Sequence, residues 1–456
     1  MAIRGVFDVV DGAFGLATTE TGGGAAASGG EWVRNKAWPE LVEPTAGEQK
    51  VVGLYAVFPG DSAGLGNFFS VTCAGAYTVN YGDGSAAVNV ATGVQLDYEY
   101  DFDDADLYDA TVTLTDAGDL VTRTAHGYSD GDRIQLYRIV STTGVSNGQS
   151  YYVINSTATT FQISLTEGGS AVTLTTNGTA ALLPYKIATV TITPQAGQNL
   201  TTINFTSKPA AIPTNSPNAW LEVVVRAASC TTLTNYAFNL CSPKLLERYA
   251  ILAHANTSFA SKFQGLSRLG KVQINSTAGV TSFSSCFNGC NDLDALPWMD
   301  TSSATTVANM CSNCYSLKTV PLYDLSGVTG SANAMLSVCS GLESIPAFNL
   351  SSATDVRNFA PNSVALSEFP AISFSSVTTG NFSSAFPSTA GMKRFRATGI
   401  NFSFSLTGNQ LTATALNEVY TNLPTVVGQT ITVTANPGVS GDDPTIATAK
   451  GWAVTG

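Results

Sequence analysis

Residues 302–321 read SSATTVANMCSNCYSLKTVP, and residues 351–370 read SSATDVRNFAPNSVALSEFP. Both lines end on a leucine, two polar positions, an apolar residue and a proline, and the pattern continues outward from them. Leu293, Leu317, Leu342, Leu366 and Met392 follow one another at spacings of 24, 25, 24 and 26 residues. Three positions after each anchor stand Leu296, Val320, Ile345, Phe369 and Phe395. The next position holds Pro297, Pro321, Pro346 and Pro370 before Arg396 breaks the series. Asp300, Asp324, Asn349 and Ser373 come a little later, as turn-formers or helix N-caps. A period of this size marks stacked units, none of which can bury its apolar side alone.

Upstream of the anchors the apolar residues fall at i, i+3, i+4 and i+7. They are Phe283, Cys286, Phe287 and Cys290 in one unit, and Val307, Met310, Cys311 and Cys314 in the next. Ala332, Met335, Leu336 and Cys339 follow. That spacing predicts a short helical turn in each unit. The two quoted lines resemble the BspA-like leucine-rich repeats of bacterial and phage surface proteins, and the resemblance implies an α/β leucine-rich-repeat solenoid. Degenerate units at 220–225, 230–238 and 245–252 extend it upstream. Downstream, 411–423 reads as a helix, 430–434 as a strand, and Asp443-Pro444 as the start of a closing helix. The solenoid with its C-terminal cap then spans residues 208–456.

Cys286, Cys290, Cys311 and Cys314 have a spacing compatible with zinc. Yet Cys290, Cys314 and Cys339 hold one repeat position, later filled by Ser363 and Thr389. A column of buried thiols, stacked about 5 Å apart, accounts for them without a metal; a disulfide is the other reading. On this view Cys314→Ser costs about 1–3 kcal/mol through its buried hydroxyl.

From residue 49 the pattern changes to short β-branched and aromatic runs, at 51–58, 67–73, 77–81, 88–90 and 96–102. Tyr81-Gly82-Asp83-Gly84-Ser85 signals a tight turn. With the aromatic strand Tyr98-Glu99-Tyr100-Asp101-Phe102, this stretch resembles the polycystic-kidney-disease (PKD) domain. The last strand of that family has its match only at 185–193, YKIATVTIT. The resemblance therefore implies a discontinuous PKD-like sandwich, 49–108 with 185–207, holding 109–184 as an inserted small β-domain. Within the insert, 119–123, 133–140, 151–154, 160–165 and 171–175 read as strands. The wording around His126-Gly127-Tyr128 resembles a small β-domain recurrent in phage structural proteins. Residues 1–48, with a Gly/Ala/Ser/Thr run at 17–30, read as a docking arm or linker. The expected fold class is multidomain: an all-β N-terminal half followed by an α/β solenoid.

Only 12% of the 456 residues are charged and the net charge is −12, which argues against nucleic-acid binding. No run of about 18 apolar residues suggests membrane insertion. Asp8 and Asp11 interrupt the opening before a secretory apolar region forms, so the eight cysteines fit a reducing compartment. His126 and His254 fall in different modules and read as structural. With no nucleophile-elbow, phosphate-loop or zinc-protease motif, the chain reads as non-enzymatic and cofactor-free. Asp97, Glu99, Asp101, Asp103, Asp104 and Asp106 form a solvated acidic loop or, less in keeping with their spacing, a calcium site. Trp32, Trp38, Trp298, Tyr315 and Tyr323 are core residues or platforms for sugar or protein.

Together the resemblances imply a bacteriophage virion structural protein, as a tail fibre, spike or capsid-decorating subunit. It would be made in the host cytoplasm, form a homo-oligomer, and dock on other virion proteins through residues 1–48. Adhesive modules would face a host-surface glycan or protein. A bacterial cell-surface adhesin and a polysaccharide-degrading phage spike are the alternatives.

Overall fold

The computed structural model describes residues 32–59, 67–205, 219–234, 245–377, 386 and 391–456, with 7–10 and 13–16 described as a paired backbone only. The architecture is almost entirely β. Among the described residues two short helices, α1 (Ala413–Asn422) and α2 (Thr445–Thr448), lie near the C-terminal end. Lys50–Val57 is the hub, antiparallel to Lys186–Pro194 on one side and to Trp220–Arg226 on the other. Beyond Lys186–Pro194 the sheet continues through Tyr77–Asn80 to Val88–Val90. Beyond Trp220–Arg226 come Arg248–Ala253 and Lys271–Ile274, all parallel. One seven-stranded sheet thus begins as an antiparallel sandwich and ends as the first coils of a parallel solenoid. Pairing of Trp220–Arg226 with Lys50–Val57 bridges the boundary expected at 208. Of the expected unit at 230–238, the described residues show the strand Thr232–Thr234.

A second sheet, Thr232–Thr234, Thr202–Asn204, Phe68–Ala74 and Gln95–Glu99, covers one face of the first. Between them Phe69 meets Tyr55 and Trp220 edge-on, with ring centroids 6.2 and 5.7 Å apart. Gly53 makes room for the indole, because a Cβ there would lie 2.5 Å from the Trp220 ring. Residues 32–44 cover the opposite face. Strand Lys50–Val57 is therefore buried on both sides and reads as a continuous apolar run. Leu41 packs on Val52, Val224, Ala250 and Leu252. The buried carboxylate of Glu222 is held by Arg34 at 2.9 Å and Arg248 at 2.7 Å, so neither its burial nor its charge goes uncompensated. Arg226 donates to the Pro44 carbonyl at 3.0 Å, and the Trp38 indole to the Tyr185 hydroxyl at 3.2 Å. This part of the expected docking arm is bound to the chain's own body, while 17–31 lie outside the described residues.

Residues 111–181 build a separate antiparallel seven-stranded sheet. The stretch 171–175 is not a strand; the Leu174 amide bonds instead to the Asp119 side chain at 2.7 Å. Thr111–Thr115 and Gly178–Ala181, which the sequence reading passed over, pair in its place. The run 133–140 divides into Arg133–Gln135 and Tyr137–Val140, which join different edges of the sheet. Lys36 pairs with Asp132 at 2.6 Å, tying this sheet to the 32–44 strap, and the hydroxyl of Tyr108, which bridges Ile187 of the first sheet, donates to the Ala37 carbonyl at 3.1 Å.

The repeats stack as a solenoid, but their expected helical turns are not helices. The α/β leucine-rich-repeat reading is corrected to a β-solenoid-like stack of turns. The reason lies in where the amide protons go. Phe283, Ser285, Phe287 and Gly289 donate to Thr306, Ala308, Met310 and Ser312 of the next coil, at 2.7–3.1 Å. The intervening Cys286, Asn288 and Cys290 close turns onto Phe283, Ser285 and Phe287. An α-helix would need all of these donors for its own i−4 carbonyls. The turns also demand positive φ at two positions per coil: Ser285 and Gly289, Asn309 and Asn313, Ala334 and Val338, Asn358 and Asn362. Glycine and asparagine adopt that conformation most readily.

On the other side of each coil, every third residue points inward, as Leu293, Leu296 and Met299 do. Parallel bridges from Ala295 to Thr319 to Ser344 set the register. Leu293, Leu317, Leu342, Leu366 and Met392 are all fully buried. The stack ends with the parallel strands Phe404–Ser405, Gln429–Thr432 and Trp452–Thr455. Here α1 starts at Thr412, whose hydroxyl accepts the Ala415 amide. Its C-terminal carbonyls are covered by Lys450, which reaches Tyr420 at 3.2 Å and Leu423 at 2.8 Å.

Candidate binding surface

The cysteine column is internal. Cys290, Cys314 and Cys339 donate their thiol protons to the carbonyls of Phe263, Phe287 and Cys311 at 3.0, 3.1 and 3.0 Å. Ser363 makes the same bond to Leu336 at 2.9 Å, and Thr389 lies outside the described residues. Burial pushes the Cys314 thiol well above its ordinary range and Cys339 up to about 12, so both remain protonated donors. The seven described cysteines are free thiols. Among the described residues no group of three or more His, Cys, Asp or Glu side chains is placed to hold a metal ion.

The acidic stretch is organised by its own turns. Asp97 accepts from Ser70 and Gln95, and Asp101 and Asp104 accept the amides of Asp103 and Asp106, both at 2.9 Å. Both histidines serve local backbone. His126 is buried, accepts the Tyr128 amide at 3.0 Å and packs against Phe161. His254 accepts the Asn256 amide at 3.0 Å and bonds the Ser276 carbonyl at 2.7 Å. Burial holds its pKa down; the Ser276 contact opposes this and nearby Lys262 adds to it.

The aromatic candidates separate. Trp38 and Tyr323 are core residues, and the Tyr323 hydroxyl donates to the Pro297 carbonyl at 2.7 Å. Trp32 is half-buried, its indole 3.3 Å from Glu247. Trp298 is 69% exposed and Tyr315 46% exposed. Leu322, 67% exposed, joins them. It was missed as a surface residue, although it follows Pro321 as Trp298 follows Pro297, and that shared repeat position was the available signal. Bridging of Ala295 to Thr319 sets these coils side by side, so Trp298 and Leu322 form adjacent steps of one outward ridge. In the next two coils the position is alanine, Ala347 and Ala371.

A polar column runs two residues beyond the ridge. One oxygen of Asp300 accepts both the amide and hydroxyl of Ser302, at 3.1 and 2.7 Å. Asp324 does so with Ser326 at 3.0 and 2.7 Å, and Asn349 with Ser351 at 3.3 and 2.8 Å. The serine hydroxyl and amide hold Asp300 and Asp324 below the usual carboxylate range. An exposed apolar ridge beside carboxylate acceptors can bind by stacking and by receiving hydrogen bonds.

No family model, curated protein or solved structure matches the chain.

Proposed function

We propose that the chain is a non-enzymatic structural protein of a bacteriophage particle surface, as a fibre, spike or decorating subunit. In this reading a PKD-like sandwich with an inserted small β-domain carries a turn-built solenoid outward, in a homo-oligomer docked on other virion proteins through residues ahead of the 32–44 strap. The observation that carries the proposal is the seven-stranded sheet shared by sandwich and solenoid. Fusion through one sheet suits a part that bears load and presents a surface, since the two parts share backbone hydrogen bonds between Lys50–Val57 and Trp220–Arg226. Each of the two histidines accepts a backbone amide two residues on, which gives it a local structural role.

Quantitative mass spectrometry of purified particles tests the proposal, together with immunogold labelling by antibodies raised against residues 276–398. The expected result is a fixed copy number per particle and labelling of intact particles. Recovery only in bacterial envelopes would replace the virion reading with that of a cell-surface adhesin.

A further inference from the structure

We infer that the Trp298–Leu322 ridge is a contact site for a neutral glycan, its pyranose rings lying along the solenoid axis. The inference rests on the attachment reading above and names the ligand class. An indole exposed to 69% on a rigid coil leaves a large apolar surface in water. Its position is fixed: Pro297 restricts the backbone immediately before it, and the Pro297 carbonyl is tied to the next coil by Tyr323 at 2.7 Å. A pyranose suits such a platform because one face is C–H and the rim is hydroxyl.

The adjoining column selects among glycans. Asp300 and Asp324 each use one carboxylate oxygen for their serine turn, leaving the second to accept hydroxyl protons. Ionised carboxylates accept only, so they favour hydroxyl donors and repel uronate, sulfate and phosphate. A net charge of −12 adds to that repulsion. Coils repeat about every 4.8 Å, which sets Asp300, Asp324 and Asn349 in series along one path. Beyond Leu322, Ala347 and Ala371 keep the ridge low, so a chain can continue past the platform.

Affinity electrophoresis of the full chain tests this at pH 7, in gels containing dextran, galactomannan or hydroxyethyl cellulose, with alginate as the anionic comparison. Retardation in at least one neutral gel is expected, and none in alginate. Trp298→Ala should weaken the interaction about tenfold, and Trp298→Phe by much less. An unchanged thermal melt of both variants establishes that the exposed substitution left the fold intact. Three results would overturn the inference: no retardation in any neutral gel, retardation in alginate alone, or a Trp298→Ala variant retarded like the parent. Release of reducing ends from the polysaccharide would instead overturn the non-enzymatic reading while leaving the Trp298 contact in place.

Discussion

The thiol of Cys314 donates to the carbonyl oxygen of Phe287, 3.1 Å away on the preceding coil. Two coils on, the hydroxyl of Ser363 makes the equivalent bond to Leu336 at 2.9 Å. The sequence-based cost for serine at this site was attributed to a buried hydroxyl, and the preceding coil supplies such a hydroxyl with an acceptor. Cys314→Ser should therefore change the unfolding free energy by less than about 1 kcal/mol. Cys314→Val, with no donor and added bulk, should cost about 1–3 kcal/mol. Urea unfolding of both variants decides the matter; a serine as damaging as the valine would contradict the ladder.

Val338 sits at φ 58, where the equivalent residues of neighbouring coils are Gly289, Asn313 and Asn362. A β-branched residue is strained there. Val338→Asn should raise stability by about 1 kcal/mol, read as a higher urea midpoint with an unchanged slope. A lowered midpoint would show that Val338 contributes more by packing than it costs in strain.

Gly53 lies so close to Trp220 that an added Cβ would stand 2.5 Å from the ring and 2.6 Å from the Glu222 carbonyl. The backbone contact cannot swing aside. Gly53→Ala should destabilise the sandwich by about 1–3 kcal/mol, with the loss visible in near-ultraviolet circular dichroism of Trp220. A neutral effect would mean that the strand can shift.

Asp83 is buried in its turn and accepts from the Ser85 amide at 3.1 Å, the Ser85 hydroxyl at 2.6 Å and the Tyr98 hydroxyl. Burial alone would raise its pKa, but these bonds outweigh it and hold the carboxyl below its ordinary value. A depressed folded-state pKa contributes stability above the unfolded value of about 3.9, and loses it as pH falls through the folded one. Asp83→Asn should cost about 1.5–3 kcal/mol at pH 7. The gap between variant and parent should narrow below about pH 4. A gap constant from pH 7 to pH 3 would rule out the charged form as the stabilising one.

The repeat and its inward face were legible because burial is periodic whichever secondary structure delivers it: all five anchors and the Cys290, Cys314 and Cys339 column lie inside. The turns were misread as helices because i, i+3, i+4, i+7 describes an inward stripe on either. What separated the two was the residues between, where Ser285, Gly289, Asn309, Asn313, Asn358 and Asn362 occupy the positive-φ positions. Asparagine recurring four residues apart on the polar face favours turns over a helix. Continuity of sandwich and solenoid was not legible, since Trp220–Arg226 carries the same apolar run whether its neighbour is Lys50–Val57 or another coil. The candidate surface was half legible: Trp298 and Tyr315 were candidates, and the repeat places Tyr323 inward with Met299 and Phe348, six residues after their anchors, but no repeat position marked Trp38 as buried.

Native-state hydrogen exchange tests most directly whether sandwich and solenoid form one body. Amides of Lys186–Pro194, Trp220–Arg226 and Arg248–Ala253 lie in a single sheet, so in increasing guanidinium they should converge on one opening free energy. If Arg248–Ala253 opens together with the outer coils while Lys186–Pro194 and Trp220–Arg226 remain protected, the two parts are separate bodies and the rigid presentation proposed here fails.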